Sequence, residues 1–313
     1  MLRYLSHLEI NEKNWDNCVE ASAEMMIYAC SWFLSMVCKR WDAVVEMDEE
    51  GRYVSVFPLP LGRRFGQMAV LQPYFTQQLG LFTTPKSRHT SIDDYLELIP
   101  NKYNYVYLQL NTRNTEAAIN VTTLSIHKRI NYHLPLQPPY EELLKQYKNR
   151  HKLNKAKRSG ISVKPLSDIE VLIRLFRSTK GKELTEIKGK HYRLLAKMYA
   201  ELKTKNAAEL WQVVNADGEA IAAAFFILQP GKLIFLLSGA SDEGRQTAAM
   251  TLLLDSMIQR FAGTNCILDF EGSMVPSVGN FYANFGAEPV TYLSLTRQYT
   301  PWYLKWKKAI SIF

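Results

Sequence analysis

The sequence predicts an α/β (α+β) chain made of two similar units in tandem, and three observations predict it. A length of 313 residues exceeds one average domain and suits two of about 150. An apolar content of 47% against 22% charged residues provides for real cores. The two halves also repeat one order of elements: helix, strand, acidic-glycine turn, strand, helix, strand. The repetition is one of layout, since the two copies share little sequence.

In chain order, WDAVVEMDEEGRYVSVFPLP from Trp41 reads as two strands about a Glu50-Gly51 turn. SIDDYLELI then reads as a helix and YNYVYLQL as a strand. Three prolines in NYHLPLQPPYEELL keep the chain extended and mark a boundary over residues 131–160. From Ile161, ISVKPLSDIEVLIRLF restarts as strand, turn and helix, with Ser167 or Asp168 as the N-cap. Leu194, Leu195, Met198, Tyr199 and Leu202 recur at helical spacing. The stretch WQVVNADGEAIAAAFFILQPGKLIFLL from Trp211 is a hairpin turning at Asp217-Gly218. Leu254, Met257, Ile258 and Phe261 mark another helix, and CILDF a short buried strand. The expected division is a first domain at 1–135, a basic linker helix at 136–160, a second domain at 161–297 and an aromatic and basic tail at 298–313.

Several function classes are excluded by what is missing. Cys18, Cys30, Cys38 and Cys266 form no C-x-x-C pair, as suits a reducing compartment. No apolar run reaches signal-peptide length at the N-terminus, and AIAAAFFIL falls well short of the roughly 20 residues that span a bilayer. A soluble, cytoplasmic protein is expected. The six histidines lack H-E-x-x-H or H-x-x-x-H spacing, so no metal is expected. Neither a G-x-S-x-G elbow nor a Walker loop is present, against a serine hydrolase or an NTPase. Of the formal net charge of +8, seven units come from KQYKNRHKLNKAKR alone. Read as one helix, that run puts Lys145, Lys148, Lys152 and Lys155 in a single stripe, which suits an anionic partner as well as a solvated surface.

The runs KNRHKLNKAKRSGISVKPLSD, ADGEAIAAAFF, LLSGAS, LDFEGS and FYANFGAEPV stand in an order that resembles the GNAT acyltransferase superfamily. Within it the chain resembles the double-domain Fem-type peptidoglycan aminoacyltransferases. The resemblance covers about residues 140–295, and the first 140 match in layout alone. It implies two tandem GNAT-like domains, each a mixed, mostly antiparallel sheet flanked by helices. It also implies transfer of an acyl group from a thioester or an aminoacyl ester to an amine. That chemistry needs a nucleophilic amine, a donor carbonyl polarised by N–H groups and a proton for the leaving group.

Tyr282, in NFYANFGA, stands where many members of the family carry the tyrosine that protonates the departing thiolate. Phe281, Tyr282 and Phe285 equally suit plain packing under the sheet. Fem-type ligases often carry lysine there, so tyrosine tilts the donor towards acetyl-CoA or another acyl-CoA and away from aminoacyl-tRNA. Strand alternation puts Asp269 and Glu271 on one face, opposite Phe270. In a cleft one of them would have a raised pKa and act as base, Glu271 being nearer the loop; on a rim they would cap the turn through Ser273. Resemblance to the family's R/Q-x-x-G-x-G/A turn assigns donor binding to Gly244, Arg245, Gln246, Thr247 and Ala248. Alanine replaces the family's glycine there, and keeps the backbone approach only if its φ stays negative.

Arg150, Lys155, Ala156 and Gly160 echo the Fem-type R-x-x-x-K-A-x-x-x-G run with altered spacing, so Lys148, Arg150, Lys152 and Lys155 are assigned to substrate or polyanion contact. Three functions follow. The first is an N-acyltransferase moving an acyl group from a coenzyme A thioester to a small-molecule or peptide amine. The second is a tRNA-dependent Fem-type transferase on a cell-wall precursor, and the third a catalytically silent module that binds an anionic partner. The tail RQYTPWYLKWKKAISIF suits docking on its own domain or a second subunit, or a membrane surface.

Overall fold

The computed structural model describes residues 1–115, 119, 124–179, 181, 184, 186–272 and 274–298. Two compact units emerge: Met1–Arg129 with the segment from Thr291, and Ile130–Val290.

The first unit contains β1 (Leu2–Leu5), α1 (Glu12–Ala21), α2 (Ser31–Val37), β2 (Trp41–Met47), β3 (Tyr53–Arg64), β4 (Gln67–Leu71), β5 (Phe82–Thr83), α3 (Ile92–Glu97) and β6 (Tyr105–Gln109). The hairpin expected from Trp41 is β2 against β3, antiparallel with Val45 opposite Val56. Its core gathers Val44, Phe57, Val70, Tyr95, Val106 and Leu108, all essentially inaccessible. SIDDYLELI and YNYVYLQL supply α3 and β6, as their patterns predict.

Strand β7 (Ser125–Pro135) carries the chain into the second unit. There follow α4 (Tyr140–Lys145), α5 (Arg150–Arg158), β8 (Ser162–Pro165), α6 (Ile169–Ser178), α7 (Gly189–Thr204), β9 (Ala208–Val214), β10 (Ala220–Gln229), β11 (Lys232–Ala240), α8 (Asp242–Gln246), α9 (Ala249–Phe261), β12 (Ile267–Asp269) and α10 (Pro276–Ala283). A last strand, β13 (Glu288–Gln298), pairs antiparallel with β6, with Leu295 opposite Leu108. The sheet order in the second unit is β7-β12-β11-β10-β9-β8. All its pairs are antiparallel except β11 with β12.

Alternation along these strands separates two faces. Leu134, Phe226, Leu233, Phe235, Leu268 and Phe270 bury against Leu253, Leu254, Met257 and Ile258 of α9. Phe225 points the other way, where Tyr199 of α7 meets it edge-on at 5.6 Å between ring centres. Of the two N-cap candidates for α6, Asp168 does the work, accepting the Glu170 N–H.

The basic segment departs from expectation. Instead of one helix, the chain leaves α4 after Lys145 and begins α5 at Arg150. Apolar anchoring is the reason: Tyr147 packs edge-on against Phe285 at 5.2 Å, the Lys148 N–H bonds to the Asn284 carbonyl at 2.9 Å, and Leu153 and Ala156 are buried. The four-lysine stripe therefore does not form, and 136–160 lies inside the second unit. Pro135 sits in extended chain, as expected, at the end of β7. Among the described residues no helix is long and apolar enough to cross a membrane. The tail beyond Gln298 lies outside them.

Candidate active site

A cleft of about 240 Å³ opens in the second unit. Lys152 and Lys155 of α5 form one wall, Gly244 to Gln246 and Ala248 another, and Met250, Thr251, Ala240 and Phe281 the floor. The sequence thus leads to one place from two directions, the donor loop and the basic segment. Lys148 and Arg150 are not among its lining residues, and the Arg150 guanidinium donates to the Leu144 carbonyl at 2.8 Å.

The loop holds itself differently from the expected cradle. Residues 242–246 coil into α8, and its N–H groups are spent internally: Gly244 on Ser241 Oγ at 3.1 Å, Arg245 on the Ser241 carbonyl at 2.9 Å, Thr247 on the Glu243 carbonyl at 2.8 Å. The Arg245 guanidinium donates to Asp242 and to the Ala240 carbonyl. Ala248 then adopts φ +57°, ψ +36° as the N-cap of α9, so the negative φ on which the backbone approach was conditional is not met. The turn demands the left-handed region regardless of the residue, and alanine bears a strain that glycine would not. In the first turn of α9 the Thr251 N–H is already bonded to the Ala248 carbonyl at 3.0 Å, so an anion there would meet the helix dipole and the N–H groups of Ala249 and Met250.

Beside the cleft the sheet parts. Strand β11 pairs with β12 only over Lys232–Ile234, against Ile267–Asp269, and then runs on to Ala240. From Phe235 onward, among the described residues, that edge of β11 has no strand partner, and such an edge can receive a ligand's amide groups. At the fork Tyr282 of α10 stacks on Phe270 at 4.6 Å and meets Phe235 at 6.2 Å and Tyr132 at 5.9 Å. It is 8% exposed. Burial first, and then the charge of Glu271, hold its hydroxyl above the ordinary phenol range, so it stays protonated at neutral pH.

Strand β12 ends at Asp269, so the alternation expected to put Asp269 and Glu271 on one face stops short of Glu271, which adopts φ +54°. Asp269 is 1% exposed, on the face opposite Phe270. One carboxylate oxygen accepts from Asn131 Nδ2 at 2.8 Å and from the Glu271 N–H at 2.9 Å. The other meets Lys232 Nζ at 3.1 Å and His133 Nε2 at 3.2 Å. Burial works against its charge, yet Lys232, His133 and the Glu271 N–H outweigh burial and hold it well below the carboxylate range. This is the reverse of the raised pKa expected of a base. The Ser273 cap lies outside the described residues.

Three of these polar partners escaped the sequence reading. His133 reaches Asp269 across 136 residues through strand register alone, and nothing near either residue announces the contact. Asn131 and Lys232 are brought in the same way. No group of three or more His, Cys, Asp or Glu among the described residues is arranged to hold a metal ion.

Residues 145–272 match the family model of the acetyltransferase (GNAT) domain. Among solved structures, FemX aligns with a TM-score of 0.62 at 12% identity, over 91% of this chain and 96% of that one. A conserved protein of unknown function from Bacteroides thetaiotaomicron aligns at 0.56 and 13% identity, over 96% and 100%. The GCN5-related glucosamine N-acetyltransferase region of a fungal multi-domain GH3 β-N-acetylglucosaminidase aligns at 0.52 and 10% identity, over 95% of this chain and 38% of that one. At these identities the likeness is one of fold. No curated protein matches the chain. Residues 145–272 are thus similar to the acetyltransferase (GNAT) domain, and the chain's fold is similar to that of FemX.

Proposed function

We propose that this protein transfers an acyl group from a coenzyme A thioester to an amine. The observation that carries the proposal is the cleft in which Lys152, Lys155, Arg245 and the start of α9 converge beside an unpaired strand edge and a buried tyrosine. Donor phosphates suit the cations and the helix start. The donor's amide chain suits the free edge of β11 beyond Ile234, which leads towards Tyr282.

In the reaction, Glu271 takes a proton from the acceptor ammonium. The amine nitrogen then bonds to the donor carbonyl carbon, the carbon–sulfur bond breaks, and the sulfur takes the Tyr282 hydroxyl proton. The proton that leaves nitrogen as the amide forms restores the phenol, and the one on Glu271 passes to solvent. Asp269, with both oxygens occupied, is a fixed charge and not a base.

A second reading, transfer from aminoacyl-tRNA, is favoured by the two lysines on the cleft rim and by the FemX likeness in fold. Tyr282 in place of lysine weighs against it. Calorimetric titration with acetyl-CoA and, separately, with mixed tRNA at two salt concentrations decides between them. Micromolar acetyl-CoA binding weakened by Arg245→Ala supports the thioester donor. Silence with acetyl-CoA and steeply salt-dependent tRNA binding supports the other.

A further inference from the structure

Continued alternation would leave Glu271 on the face of the sheet that carries Asp269. The chain instead places two successive residues in the left-handed region, Glu271 at φ +54° and Gly272 at φ +65°. A side chain at such a φ is disfavoured and persists only where its surroundings over-determine it. Here they do. The Glu271 N–H is held by Asp269 Oδ1 at 2.9 Å, an oxygen also fixed by Asn131 Nδ2 at 2.8 Å. Gly272 lies so close to β7 that a Cβ would stand 2.6 Å from Asn131 Cα and overlap the Ile130 carbonyl. Lys232 and His133 hold the second oxygen of Asp269, and Asn131 is fully buried.

We infer that Asp269, fixed by Asn131, His133 and Lys232, is a positioning residue that locks the left-handed turn and so sets the direction in which the Glu271 side chain leaves it. The inference rests on the roles proposed above for Glu271 and Tyr282. Beside burial, the charge of Glu271 raises the Tyr282 hydroxyl above its ordinary range, so the two groups act on one another. Local rules of backbone preference are broken here at a point where acid and base must meet, as they tend to be at functional sites.

A double-substitution cycle tests it. Glu271→Gly should raise the melting temperature by about 1–3 °C, because glycine accepts the turn without strain. Asp269→Asn keeps the shape but turns an amide NH₂ towards one of two donor pairs, so the turn relaxes. In that background the gain from Glu271→Gly should vanish. With acetyl-CoA and a mixture of primary amines, Glu271→Gly should lower kcat by about 10²-fold and Asp269→Asn by about 10-fold, both at unchanged donor KM. The double variant should be no slower than Glu271→Gly alone. Should Asp269→Asn fail to fold, Asn131→Ala runs the same cycle. Equal melting gains in both backgrounds, or multiplying kinetic losses, would overturn the inference. A coupled melting cycle in a protein that transfers no acyl group upholds the positioning and removes the acyl-transfer reading.

Discussion

Gly244→Ala probes the junction on which the donor cleft depends. Gly244 lies where α8 touches the start of β10: an added Cβ would overlap the Ile221 carbonyl oxygen, with the carbonyl carbon at 3.0 Å and the Ala240 Cβ at 3.5 Å. The obstacle is backbone of a central strand, so no rotamer change clears it and α8 must shift. The same carbonyl accepts the Ser241 N–H at 2.8 Å, and that bond weakens as the helix moves. Overpacking costs about 1–3 kcal/mol, and the weakened bond about 0.5–1.5 kcal/mol. A total of about 1.5–4.5 kcal/mol corresponds, at roughly 2–4 °C per kcal/mol, to a melting point lower by about 3–18 °C. Since α8 leads directly into Ala248, the N-terminus of α9 moves with it, and acetyl-CoA affinity should fall about 10-fold or more. Gly218→Ala is the control, with φ +81° and nothing within 4 Å. It bears backbone strain of about 1 kcal/mol and leaves the cleft alone. Scanning calorimetry and titration calorimetry read both quantities. If Gly244→Ala melts no lower than Gly218→Ala and binds acetyl-CoA like the parent, the packing argument for the donor loop is refuted.

Three more outcomes are expected. Ala248→Gly relieves the φ +57° strain, so thermal melting should find it equal to the parent or up to about 1 kcal/mol more stable, with donor affinity undiminished. Tyr282→Phe keeps the stack on Phe270 and removes only the hydroxyl; kcat should fall by about 10²-fold or more while acetyl-CoA affinity measured by calorimetry stays the same. Asp269 has a depressed pKa when folded, so its contribution is complete above its unfolded pKa of about 3.9 and is lost as pH falls below that towards its native value. Asp269→Asn should therefore destabilise the protein at pH 7 and flatten the acid limb of stability below about pH 4, as denaturant melts across that range will record.

The elements were legible where one local pattern decided them. The Asp217-Gly218 hairpin and the Leu254 to Phe261 periodicity produced β9, β10 and α9 because turn chemistry and amphipathic spacing are short-range properties. The basic run misled because charge spacing was read without its apolar anchors; Tyr147 and Leu153 follow the core and break the helix between them. Around the proposed site, the run 244–248 and Tyr282 were picked out by resemblance. Two backbone angles were not, those of Ala248 and Glu271, since each is imposed by tertiary contacts against the residue's own preference. His133 was passed over for lack of ligand spacing, and the pairing of β7 with β12 is what brings it to Asp269.

The most direct test of the account is to offer acetyl-CoA and a pool of primary amines to the purified protein and follow free thiol release together with the mass of any acylated amine. The account predicts amine-dependent thiol release matched by acetylated product, and its near loss in Tyr282→Phe. Absence of acetylated product across the pool, or full activity in Tyr282→Phe, would contradict it.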